Sequence, residues 1–136
     1  NRGVEVSIIV PAQPDHFVTF CMGRVFIKNL IDKGVKVFEY DKGFIHAKTF
    51  ISDDKFATIG SVNLDYRSLV HHFENGVWFY RHEVLQEIKE DMEKTMKLSI
   101  VMNENPIKNT IIADLIFISL TPKIHAIEHY ALILLF

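Results

Sequence analysis

The N-terminal region contains two short apolar segments separated by an amphipathic stretch. Residues 4–10 are rich in β-branched side chains and end at Pro11, and residues 35–40 have a similar composition, so we predict a strand in each. From His16 to Lys33, apolar residues recur at a spacing close to the 3.6-residue turn of a helix. A helix that joins two apolar strands indicates a βαβ crossover, which predicts an α/β fold.

Turn-forming residues divide the next part of the chain into further short elements. Asp15 can cap the first helix, and Gly34 lies where a helix often ends. The segments DKG and DDK separate apolar runs that resemble strands. The additional predicted elements are strands at 44–52, 56–60 and 75–80 and an amphipathic helix at 83–98. The whole pattern predicts a sheet with helices on its faces.

Composition limits the possible partners. The chain has 136 residues, of which 49% are hydrophobic, so it can bury one sizeable core. Its formal net charge of -2 provides no general attraction to nucleic acid or anionic lipid, so the binding of an anion must be local. The single cysteine, Cys21, excludes an intrachain disulfide and is interpreted as a small buried side chain on the first helix.

A basic pair and the turn that follows it carry the strongest functional signal. His46 and Lys48 are two residues apart in a predicted strand, so their side chains should share one face. The turn after the next strand provides Ser61 and Asn63, and Gly60 would let the backbone approach a ligand closely. If these groups converge, they suit a phosphate, with an ammonium, two neutral hydrogen-bonding groups and an imidazole as nucleophile or proton carrier.

Glu74 is the preferred carboxylate partner for this imidazole. It precedes the predicted strand 75–80, and a carboxylate near a histidine fixes its tautomer. Each residue also has an ordinary interpretation: a histidine at a sheet edge, a lysine that reaches solvent, a common turn, a surface glutamate. The joint spacing favours a site over these alternatives.

The complete pattern resembles the HKD signature of the phospholipase D superfamily. It consists of His46-x-Lys48, then Asp53, then Gly60-Ser61-x-Asn63. The surrounding segments GFIHAKTFISDD, IGSVNLDYRSL and FENGVWFY are similar to the C-terminal half of bacterial cardiolipin synthases. The resemblance implies a phospholipase D-like mixed sheet, one of the two halves of a bilobal enzyme. We therefore expect a catalytic domain at 1–105 and an apolar C-terminal tail of uncertain role at 106–136.

The resemblance also implies roles for individual residues. In this superfamily one signature histidine attacks the phosphodiester phosphorus and forms a phosphohistidine, and a second histidine protonates the leaving alcohol. No metal and no cofactor is implied. The implied assignments are catalysis for His46, Lys48 and Glu74, phosphate binding for Lys48, Ser61 and Asn63, and structural roles for Asp53 and Gly60.

The implied parent enzyme moves a phosphatidyl group from one phosphatidylglycerol to the hydroxyl of another. Because the chain holds one signature, the second must come from the same parent chain or from a homodimer partner. We expect the isolated chain to be inactive and soluble and the parent to lie at the bacterial cell membrane, with a phospholipid and no nucleic acid as substrate. The alternatives are a phospholipase D or nuclease-type hydrolase and a noncatalytic fragment that only binds anions.

The segment after Pro106 is more apolar than the rest of the chain. Charged residues and a proline interrupt it, so a membrane-spanning helix is not predicted; one or two packed helices and a membrane-surface or partner-facing element are both open. The segment HAIEH at 125–129 fits the His-x-x-Glu-His pattern of a zinc-peptidase helix. So short a match, without an evident further ligand, does not predict a metal site.

Overall fold

The computed structural model describes residues 3–13, 17–65, 67–103 and 132–135, and this part of the chain forms a sheet with two helices. A short π-helical turn, Arg67–His71, lies between the fourth and fifth strands. In chain order, the elements are β1 Val6–Pro11, α1 Phe17–Ile31, β2 Lys36–Tyr40, β3 Thr49–Ser52, β4 Phe56–Gly60, β5 Gly76–Tyr80, α2 Val84–Lys97, β6 Ile100–Met102 and β7 Leu132–Leu135.

The strands form one mixed sheet of seven strands in the order β5-β4-β3-β7-β1-β2-β6. β1 and β2 are parallel, as the predicted crossover through α1 requires. The strands β3, β4 and β5 follow one another as antiparallel neighbours, while β7 is antiparallel to β1 and parallel to β3. The predicted α/β fold with a mixed sheet flanked by helices is confirmed.

The two helices pack on opposite faces of the sheet. Because successive residues of β1 point to opposite faces, Ile9 packs against one layer while Ile8 and Val10 pack against the other. The α2 side contains Leu85, Ile88 and Met92 together with Ile51 and Ala57, and the α1 side contains Ile27, Leu30 and Ile31 together with Val37 and Met102. Burial of a side chain such as Ile9 stabilises the fold by about 2 kcal/mol.

The predicted strand 44–52 is too long, because β3 begins only at Thr49. Thr49 pairs with Ile59, and β4 ends at Gly60, so residues before Lys48 have no β4 residue to pair with. His46 and Lys48 therefore precede the strand, and the alternation argument does not apply to them. His46 is exposed and Lys48 is buried.

The structure describes the end of α1 and part of the predicted tail. Gly34 ends α1 with φ of 86°, and its N–H donates to the carbonyl of Ile31 at 2.8 Å, which confirms its predicted place. Asp15, the side chain of Cys21 and the HAIEH segment lie outside the described residues. Residues 132–135 of the expected tail form a strand inside the sheet rather than a helix. Within the described ranges, neither helix has the length and hydrophobicity needed to cross a bilayer.

Candidate active-site cleft

The candidate site lies at one end of the three-stranded segment β3-β4-β5. Consecutive antiparallel strands reverse direction, so the start of β3, the end of β4 and the start of β5 meet at the same end of the sheet. The Gly60 N–H donates to the Lys48 carbonyl at 3.1 Å, and the Ser61 N–H donates to the Asn75 carbonyl at 2.8 Å. These backbone bonds bring Lys48, Ser61 and Glu74 to neighbouring positions although they are separate in the sequence.

Gly60 permits an unusually close approach between β4 and β5. A Cβ at this position would lie 2.4 Å from the carbonyl oxygen of Asn75 and 2.7 Å from the Cα of Gly76. The residues alone suggested that this glycine lets the backbone approach a ligand, and the resemblance implied a structural role for it. In the structure, the atoms that require a glycine belong to the neighbouring strand.

A cleft of about 330 Å³ opens at this end of the sheet. Its charged lining comes from Lys48 and Glu74, and its apolar lining includes Phe50, Val62 and Trp78. The volume is in the range of small-molecule sites, which are typically about 300–1,000 Å³. The Lys48 side chain is buried, and its Nζ donates to the backbone carbonyl of His46 at 2.9 Å. The cleft therefore combines an ammonium and a carboxylate with apolar walls.

Ser61 and Glu74 are joined by a short hydrogen bond. The Ser61 hydroxyl donates to Glu74 Oε2 at 2.5 Å and accepts from the Asn75 N–H at 3.0 Å. The bond from Ser61, followed by one from Ser68, lowers the pKa of Glu74; His72 and Arg67 act in the same direction, and desolvation opposes them. Glu74 is thus an ionised acceptor at neutral pH. Ser61 must turn away from Glu74 before it can donate to a phosphate.

The π-helical turn supplies two groups that the sequence analysis did not identify, Asp65 and Arg67, next to His71 and His72, which were expected at the rim of the pocket or at the surface. Asp65 is fully buried, and its Oδ1 accepts from the Ser68 N–H at 2.5 Å, which caps the turn. From the first residue of the turn, Arg67 Nε donates to His72 Nε2 at 2.7 Å, and His72 Nδ1 lies 3.9 Å from Glu74 Oε1. The spacing Asp-x-x-Ser before the turn was the available signal for the cap.

The predicted site residues do not all line the cleft. Among the described residues, its lining includes Lys48, Gly60 and Glu74 but not His46, Ser61 or Asn63. The ring of His46 is stacked on Phe44, with centroids 5.7 Å apart, and Asn63 is half-buried in the loop after Ser61. The pairing of His46 with Glu74 and the binding of phosphate by Asn63 stay predictions.

Asp53 lies at the other end of β3, in the turn that leads to β4. Asp53 and Asp54 have φ values of 51° and 53°, and the Lys55 N–H donates to the Ser52 carbonyl at 3.0 Å. Two consecutive positive φ values are typical of a type I′ hairpin turn. Asp53 is thus separated from the cleft by the length of the strand.

Comparison with known proteins identifies the family. The family model described as "Cardiolipin synthase, PLD-like domain" matches residues 1–96. An uncharacterized protein of Streptococcus mutans is 48% identical over 99 residues, which are 73% of this chain and 22% of the relative. A cardiolipin synthase of Staphylococcus aureus is 40% identical over 88 residues, 65% of this chain and 18% of the relative.

Another relative, cardiolipin synthase 1 of Staphylococcus epidermidis, is 33% identical over 104 residues, 76% of this chain and 21% of the relative. The chain thus spans about a fifth of the length of the curated relatives it matches. No solved structure matches it. The match of the family model to most of the chain shows that this protein belongs to the phospholipase D superfamily and has a phospholipase D-like domain of the cardiolipin synthase type.

Proposed function

We propose that this chain forms one half of an active site that transfers a phosphatidyl group between phosphatidylglycerol molecules. The observation that carries the proposal is the buried ammonium of Lys48 in the wall of an apolar cleft, in a domain of the cardiolipin synthase type. Relatives named cardiolipin synthase support the choice of a lipid over other phosphodiesters. The chain has one His-x-Lys signature, so we assign it half of the site.

Lys48 has the chemistry and the surroundings to bind a phosphoryl group. A buried ammonium is costly unless anionic or hydrogen-bonding groups surround it, and the His46 carbonyl satisfies one of its three donors. A phosphate oxygen in the cleft would give this ammonium an anionic partner. In a site with apolar walls, this charge stabilises the negative charge that develops on the phosphoryl oxygens more than it would in water.

The proposed reaction proceeds through a covalent intermediate on one of two signature histidines, and His46 is one of this pair. An imidazole nitrogen of the attacking histidine approaches the phosphorus of the first phosphatidylglycerol, a P–N bond forms, and the P–O bond to glycerol breaks. The other histidine of the pair donates its proton to the departing glycerol oxygen. It then removes a proton from the hydroxyl of the second phosphatidylglycerol, whose oxygen attacks phosphorus. The P–N bond breaks, cardiolipin forms, and the attacking histidine is regenerated.

The second half comes, in this proposal, from the same parent chain or from a homodimer partner. The parent holds the domain at the bacterial cell membrane, where both lipid substrates are found. The isolated chain lacks the second histidine, so we expect it to bind a phosphoryl group without turning it over.

The test compares two lysine variants in the protein complemented with its second half. Phosphatidylglycerol vesicles are the substrate, and the lipid products are identified by mass spectrometry. Lys48→Met should abolish cardiolipin formation. Lys42→Met should leave it unchanged, because Lys42 is exposed and pairs with Asp41. Full activity of Lys48→Met would refute the proposal.

The products separate the alternative functions. Cardiolipin together with glycerol supports the transferase. Phosphatidic acid as the main product would instead show a phospholipase D-type hydrolase. Binding of inorganic phosphate by the complemented protein, without turnover of any phosphodiester, would indicate a noncatalytic anion-binding domain.

A further inference from the structure

We infer that Arg67 and His72 act together as a positioning pair for Glu74: Arg67 fixes the tautomer of His72, and His72 orients the carboxylate. This inference rests on the proposed function, because it assigns the pair to the same cleft. Neither residue is part of the HKD signature, and neither lines the cleft among the described residues. Their effect on the reaction would therefore be transmitted through Glu74.

The contact between Arg67 and His72 determines where the imidazole proton lies. Arg67 Nε approaches His72 Nε2 to 2.7 Å, and a guanidinium N–H can only donate. His72 Nε2 must therefore be the acceptor in this contact, which places the imidazole proton on Nδ1.

The protonated Nδ1 is the nitrogen that faces Glu74. It lies 3.9 Å from Oε1, while the other carboxylate oxygen, Oε2, accepts from Ser61. The distance exceeds that of a direct hydrogen bond, so the interaction is between the N–H dipole and the carboxylate charge. The terminal torsion of a glutamate has only weak intrinsic preferences, so groups on both sides of the carboxylate decide its orientation.

The backbone under this pair is held in place. The buried Asp65 caps the π-helical turn through the Ser68 N–H, and the His72 N–H donates to the Arg67 carbonyl at 2.9 Å. The Glu74 side chain is 16% exposed, compared with 43% for His72, so the carboxylate is the more protected end of the interaction. Because Glu74 and Lys48 both line the cleft, rotation of this carboxylate would change the distribution of charge there.

A first experiment measures the tautomer of His72 in the full chain by ¹⁵N NMR of the imidazole. At about pH 8, where an ordinary imidazole is uncharged, we expect the neutral Nδ1–H form with Nε2 as the acceptor. Arg67→Leu should shift His72 toward the Nε2–H form, whereas Arg81→Leu, which removes an arginine beyond β5, should not. An Nε2–H tautomer in the unsubstituted chain would refute the inference.

A second experiment uses two amide substitutions in the complemented enzyme. His72→Asn keeps an N–H donor near the position of Nδ1, and His72→Gln moves the amide to the position of Nε2. We expect His72→Asn to retain turnover, and His72→Gln to lower kcat about tenfold with little change in KM, because a small misplacement near the reaction is costly. His71→Asn serves as the control. Equal kcat values for the two His72 variants would overturn the positioning role.

The two experiments separate failure of this inference from failure of the proposed function. The tautomer measurement needs no turnover, so it tests the contact between Arg67 and His72 independently of the reaction. If Lys48→Met abolishes cardiolipin formation while both His72 variants behave like wild type, only the positioning role is wrong. If Lys48→Met retains full activity, the proposed function is wrong whatever the tautomer of His72.

Discussion

The substitution Gly60→Ala tests the close approach of β4 and β5 that builds the cleft. The added Cβ would lie 2.4 Å from the Asn75 carbonyl oxygen and 2.7 Å from the Gly76 Cα. Both are backbone atoms, so no change of rotamer can relieve the clash. Ordinary contact begins at 3.4 Å, so β5 must move away by about 1 Å at this point.

The expected cost follows from the hydrogen bonds that this movement breaks. The Ser61 N–H bond to the Asn75 carbonyl, now 2.8 Å, and the Asn75 N–H bond to the Ser61 hydroxyl, now 3.0 Å, both cross the gap that must widen. A shift of about 1 Å takes both beyond hydrogen-bonding distance, at about 1 kcal/mol each. With about 1 kcal/mol of residual strain, the free energy of unfolding should fall by about 2–4 kcal/mol.

Urea unfolding followed by tryptophan fluorescence measures this loss. Trp78, the single tryptophan of the sequence, lies in β5 opposite Thr58 of β4, so it reports on the strands concerned. Gly43→Ala is the control, because a Cβ there meets no atom within 4 Å. It should change the free energy of unfolding by less than about 1 kcal/mol. A Gly60→Ala variant as stable as wild type, or a control that is equally destabilised, would refute the reasoning.

Three further predictions concern the groups around the cleft and the hairpin turn. Asp65→Ala should reduce the free energy of unfolding by about 1–2 kcal/mol because it removes the cap on Ser68, and Asp65→Asn should recover most of this loss; urea unfolding of both variants checks it. The pKa of Glu74 is lowered from 4.5 chiefly by Ser61, so its stabilising contribution is present above pH 4.5 and is lost as the pH falls through the lowered value. The stability difference between wild type and Glu74→Gln, measured by urea unfolding at several pH values, should therefore shrink on acidification, and a constant difference would contradict this. Asp54→Gly should be neutral or stabilising by up to about 1 kcal/mol in thermal unfolding, because glycine relieves the positive φ while the ion pair with Lys89 is exposed and weak.

The sequence predicted best those elements whose ends are set by residues adjacent in the chain. The predicted strand 56–60 agrees with β4, and the predicted helix 83–98 differs from α2 by one residue at each end. The turns and the apolar periodicity that define these elements lie next to them in the chain. The predicted length of β3 was wrong, because the start of this strand depends on where its pairing partner β4 ends. The position of β7 between β3 and β1 likewise has no local signal.

The sequence predicted those site residues that belong to the motif, because their spacing can be read directly from the chain. Lys48, Ser61 and Glu74, which the sequence analysis grouped by their joint spacing, lie at the same end of the three-stranded segment. Arg67 and His72 were not predicted as neighbours of Glu74, because their contacts depend on a π-helical turn for which the sequence has no recognised signature. Likewise, the bond between Ser61 and Glu74 depends on the side-chain geometry that the close strands impose.

Among the residues that the structure describes, the lining of the cleft comes from one run of the chain, from Lys48 to Trp78. In this run β3, β4 and β5 are successive antiparallel neighbours, so their contacts close loops of modest length at a low entropic cost. Contacts of this kind are typical of regions that form rapidly during folding. We expect this run to acquire its shape early, and a genetic event that copied it alone would copy every described residue that lines the cleft.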